Sequence, residues 1–151
     1  MRFALLLVLG ALLAGGTPAV AQITVAPVRD LAFGPVIVGV PTTIPPSHPV
    51  RSGQFQVTAP LLTRVRLRLT LPTRLDGPAG ASLPITFGNG DAIRIGTAPN
   101  SAPTVFNPKG AEVFVVASPT IHVFIGGTVS PAGDQPQGDY TGTIILTVNV
   151  L

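Results

Sequence analysis

Very few residues in this chain have the chemistry for a reaction. There are two histidines, His48 and His122, and six carboxylates, with no cysteine and no tryptophan. His48 lies in a proline-rich stretch and His122 interrupts an apolar run beside Val123. Neither has a second nitrogen ligand at a spacing that would hold zinc. A hydrolytic triad would have to use one of them, and no Gly-x-Ser-x-Gly elbow is present. Asp30, Asp76, Asp91, Glu112, Asp134 and Asp139 are scattered, with no two expected on one strand face, so no acid pair for glycoside hydrolysis emerges. Asp134 and Asp139 share a Gly-containing loop, where an aspartate ordinarily bonds its own backbone and a calcium site would need alternating acid ligands. The expectation is a protein with no catalytic residue, no metal ligand and no cofactor.

One constellation stands out by its spacing. Arg64, Arg66 and Arg68 alternate with Val65, Leu67, Leu69 and Leu71, the period-two pattern of a half-buried strand. Outward side chains on one strand recur about every 6.5–7 Å, so the three guanidiniums form a ladder. Such a ladder suits an anionic polymer: lipopolysaccharide phosphates, an acidic polysaccharide or a partner's carboxylates. The simpler reading, preferred at this point, is that outward charges protect an edge strand from unwanted pairing.

The elements that must position these residues are strands. Seventeen prolines and seventeen glycines, spread along the chain, exclude long helices. Aliphatic runs bounded by Pro and Gly recur every 8–12 residues or so, the signature of an all-β sandwich or barrel. Ahead of them, Met1-Arg2, an apolar run from Phe3 to Ala14 and the small-residue site Ala19-Val20-Ala21 read as a secretory signal peptide cleaved after Ala21. The run is short for a membrane span. The expected organisation is a leader over 1–21 and a single domain over 22–151, exported to the periplasm, cell surface or medium. Of the nine lysines and arginines, Arg2 falls in the leader, leaving the domain close to neutral against six acids. That balance offers no clustered basic footprint for nucleic acid.

Strands are expected over Gln22 to Val28, Phe55 to Thr58, Thr63 to Leu71, Leu83 to Phe87, Ala92 to Ile95, Glu112 to Ala117 and Ile121 to Ile125. Gly88-Asn89-Gly90-Asp91 predicts a tight hairpin with positive φ at Asn-Gly. Thr42 to Pro49 and Ser101 to Pro108 read as loops. The longest strand is expected last: Gly138, Tyr140, Gly142, Ile144, Leu146, Val148 and Val150 make one continuous face at period two. The total is about eight strands.

Leu31-Ala32-Phe33-Gly34, Gly126-Gly127-Thr128-Val129 and Gly138-Asp139-Tyr140-Thr141-Gly142-Thr143 resemble marks of the exported bacterial DUF4402-type β-sandwich proteins. Those proteins are similar to chaperone–usher pilin subunits and to the spore-coat-U group. The resemblance implies an immunoglobulin-like, pilin-like antiparallel sandwich and a non-enzymatic surface or fimbria-like subunit. It also implies partners that are copies of the chain or a periplasmic chaperone. Pilins carry a glycine fourteenth from the C-terminus, which is Gly138 here, followed by alternating apolar residues. This chain departs from them at Val150, where pilins have tyrosine, and in lacking a disulfide. By the same resemblance Ile23 and Val25 belong either to a strand donated to a neighbour or to the domain's own first strand. The other class of function open to this sequence is a monomeric binding module for an anionic or carbohydrate ligand.

Overall fold

The computed structural model describes residues 22–151, so the expected signal peptide lies outside the described residues. Twelve strands follow one another, all paired antiparallel: β1 (Thr24–Arg29), β2 (Thr42–Ile44), β3 (Gly53–Thr58), β4 (Arg64–Thr70), β5 (Arg74–Asp76), β6 (Ser82–Thr86), β7 (Ala92–Gly96), β8 (Thr104–Phe106), β9 (Ala111–Val115), β10 (Thr120–Ile125), β11 (Gly127–Val129) and β12 (Ile145–Val150). Among the described residues the only helical element is a single 3-10 turn at Pro78–Gly80. The excess over the expected number consists of β2, β5, β8 and β11, each three residues long. Pro and Gly crowd these pieces, and three residues give no measurable periodicity.

The strands form three sheets, ordered β1-β3-β10-β7-β8, β2-β11-β6-β5 and β12-β4-β9. The fold is an all-β antiparallel sandwich with one core drawn from all three sheets. Val57, Ile121, Val123 and Ile125 come from the first sheet, Leu83, Ile85 and Val129 from the second, and Val65, Leu67, Leu69 and Leu146 from the third. Alternation dictates this assignment: on β4 every apolar residue is buried and every arginine exposed. Burying a Val or Leu side chain is worth about 1.5–3 kcal/mol, so the apolar face determines which way β4 must lie.

Two local expectations are corrected. Gly88–Asp91 is not a hairpin turn, because β6 and β7 belong to different sheets and the segment is a corner between them. Neither Asn89 nor its flanking glycines have positive φ. Asp91 holds the corner instead, its Oδ2 accepting the Gly88 N–H at 2.6 Å. The second correction concerns β4, which is the central strand of its sheet, so its arginines protect no edge. The chain also changes sheets at Gly126, between β10 and β11, where a β-carbon would overlap the Ile44 carbonyl.

Candidate functional site

The terminal segment is built in two parts. Ile145–Val150 pairs with β4, Leu146 opposite Leu69 and Val148 opposite Leu67. Leu146 is buried and Val148 half-buried, while Val150 is exposed. Upstream there is no strand, only one bridge between Thr141 and Asp76. From Thr141 to Ile145 the chain advances four residues while its partner advances six, from Thr70 to Asp76. Pro72 lies in that gap and has no N–H to offer a ladder. The expected face nevertheless persists through the non-strand part. Gly138 packs on Pro78, Tyr140 on Gly77 and Gly142 on Leu75, and Ile144 is half-buried against the core. Gly138 has φ +148°, and a β-carbon there would stand 2.6 Å from Pro78 Cγ, so no other residue fits without displacing the turn. Tyr140 is fixed at its tip: its hydroxyl donates to the Pro136 carbonyl at 2.7 Å and accepts from Gln135 Nε2 at 2.7 Å.

This strap forms one wall of a cleft of about 1210 Å³. Residues 31–38 form the other wall, and the cleft reaches inward to Leu83, Ile85, Ile125 and Val129. Both walls have free main-chain donors. Among the described residues, the N–H groups of Phe33, Val36, Ile37 and Val38 on one side, and of Gly142, Thr143 and Ile144 on the other, make no main-chain hydrogen bond. At the rim Ile37 is 69% exposed, with Val38 and Val40 also exposed. The sequence shows Val36 to Val40 only as a short apolar run; nothing in it signals that three of these side chains stand in solvent.

β1 lies beside the cleft. It pairs with β3, Val25 opposite Val57, and it is an edge strand whose residues Thr24 to Val28 are all exposed. Ile23 precedes it, half-buried against the core. Arg29 fastens its end, a role the sequence does not announce. Nε donates to the Ser52 carbonyl at 2.7 Å, Nη1 to the Pro49 carbonyl at 2.7 Å and Nη2 to Ser52 Oγ at 2.9 Å. His48 belongs to the same loop, its Nδ1 accepting the Arg51 N–H at 3.0 Å, and is a turn-forming residue rather than a ligand. His122 lies on β10, with Nδ1 3.2 Å from Gln54 Nε2.

Arg64, Arg66 and Arg68 are exposed on the outer face of the third sheet, and among the described residues none of them forms an ion pair or a side-chain hydrogen bond. The two ion pairs found are Arg74 with Asp76 and Arg94 with Glu112. No group of three or more His, Cys, Asp or Glu gathers into a metal-binding cluster among the described residues. No helix there is long and apolar enough to cross a membrane. Comparison of the chain with protein-family models, curated proteins and solved structures returns no match.

Proposed function

We propose that this chain is an exported, non-enzymatic surface or fimbria-like subunit that assembles by strand pairing, its sandwich being of the immunoglobulin-like, pilin-like kind. The observation that supports this reading is the cleft, in which two walls with unpaired main-chain groups flank an apolar floor. An extended segment of alternating apolar residues would gain affinity from main-chain hydrogen bonds and register from its side chains. β1 of another copy, with Ile23 just ahead of it, is the candidate donor, because it is an exposed edge strand in which Val25 continues the alternation begun at Ile23. The alternative, a monomeric binding module for an anionic ligand, is favoured by one observation, the unpaired arginines of β4.

Size-exclusion chromatography with light scattering separates the two. The chain over 22–151 should form concentration-dependent oligomers. Deleting residues 22–28, or placing Ile37→Arg at the exposed rim of the cleft, should return monomers with an unchanged circular dichroism spectrum. A wild-type chain that stays monomeric at every concentration removes the subunit reading.

A further inference from the structure

The arginine face of the third sheet has an apolar tip. The turn joining β3 to β4 holds Leu61 at 56% and Leu62 at 85% exposure. Leu62 has φ +61°, a left-handed conformation that a leucine rarely adopts. The turn is not loose: the Leu62 N–H donates to the Val116 carbonyl at 2.8 Å, and the Val116 N–H to the Thr63 carbonyl at 2.9 Å. Those bonds set the leucines beside Val115, itself 54% exposed and opposite Arg64 in the β4–β9 ladder. From this tip Arg64, Arg66 and Arg68 recede along β4 in steps of about 6.5–7 Å.

Register identifies what else shares the face. Ala111, Val113 and Val115 flank the arginines on β9, and Thr147 and Asn149 on β12. Leu151 follows them, its N–H donating to the Arg64 carbonyl, and no side chain among these is a carboxylate, since Glu112 turns the other way to meet Arg94 at 3.1 Å. There is also no aromatic ring on which a base or sugar could stack. Two adjacent solvent-exposed leucines and a graded row of unpaired guanidiniums match a surface that is anionic outside and apolar a few ångströms beneath.

We propose that this tip docks onto an anionic phospholipid leaflet, Leu61 and Leu62 entering the headgroup–acyl boundary while Arg64 and then Arg66 meet lipid phosphates. This is peripheral binding by a turn and needs no membrane-spanning element. It is independent of the cleft. Because the surface potential decays within a Debye length of about 8 Å, the three arginines contribute unequally, Arg64 most and Arg68 least.

Vesicle co-sedimentation of the chain over 22–151 tests the proposal. One set of vesicles mixes phosphatidylglycerol with phosphatidylethanolamine, and the other is phosphatidylcholine alone. Binding should be confined to the anionic set and lost at high salt. Leu61→Ser/Leu62→Asn, in which asparagine tolerates the left-handed turn, should weaken it on the order of tenfold at unchanged net charge. Arg64→Ser should cost several-fold and Arg68→Ser less than twofold. No sedimentation with either vesicle overturns the proposal. So do equal losses at all three arginines with no effect of the leucine change, which would point to a soluble polyanion lying along the ladder. Self-association abolished by the leucine change without vesicles would make the tip a contact between copies and would equally overturn it.

Discussion

The two flanks of the sandwich are closed to different degrees. Where β7 faces β9, Arg94 on the first sheet pairs with Glu112 on the third at 3.1 Å, and its guanidinium lies 4.1 Å over the Phe114 ring. Nearby, Ser118 is almost wholly buried and fully bonded. Its Oγ accepts from the Thr97 and Ala98 N–H groups at 2.9 and 3.1 Å and donates to the Thr120 carbonyl at 3.0 Å. On the other flank β1 and β12 touch without pairing, and beyond them lies the cleft with its unpaired walls. Among the described residues, therefore, polar groups are satisfied internally along one seam and several main-chain N–H groups stay unpaired along the other. A buried N–H without a partner is costly, whereas one lining an open cleft is not.

This contrast can be tested by mutation. Ser118→Ala removes three hydrogen bonds of a buried hydroxyl, leaving the Ala98 N–H without a partner and the Thr97 N–H with the Thr120 carbonyl alone, and should cost about 2 kcal/mol, read as a lower urea midpoint, with no effect on assembly. Arg94→Ala removes the pair and the ring contact and leaves Glu112, about a quarter exposed, without its cation. It should cost about 2 kcal/mol, again without changing the elution volume. On the open side Tyr140→Phe loses two hydrogen bonds at the strap and should cost about 1 kcal/mol. There the larger change should be in assembly, since the strap is a wall of the cleft. If the closed seam tolerates Ser118→Ala while Tyr140→Phe unfolds the chain, the contrast has been drawn the wrong way round.

What the sequence reveals depends on how far each signal reaches. β4 is legible in full because three apolar and three basic residues alternate without interruption, and burial decides their sides. The face running from Gly138 to Val148 is legible too, but not its division between two sheets. That depends on Pro72, some seventy residues away in the sequence and invisible to any local pattern. The Asn89-Gly90 signal fails for the same reason: a turn residue describes its own dihedrals, not which sheets the flanking strands join. β2 and β8 are hidden by the prolines beside them. The cleft could not be read at all, since it consists of exposure at Ile37 and Val38 and of missing partners. The arginines were found by spacing, but that β4 is the central strand of its sheet, and so protects no edge, could be learned only from the fold.

The Arg29 contacts have a directional consequence. β1 is paired with β3 along one side and latched at its downstream end by three further hydrogen bonds to the 49–52 loop, while its outer side lies open along the sheet edge. A ribbon latched at one extremity peels from the other, so any exchange of β1 between molecules would start near Gln22, unzip the ladder with β3 and meet the Arg29 latch last. If the proposed assembly proceeds through β1, the latch would govern how fast copies trade strands rather than whether the traded state is favoured, and loosening it should speed assembly without moving its end point.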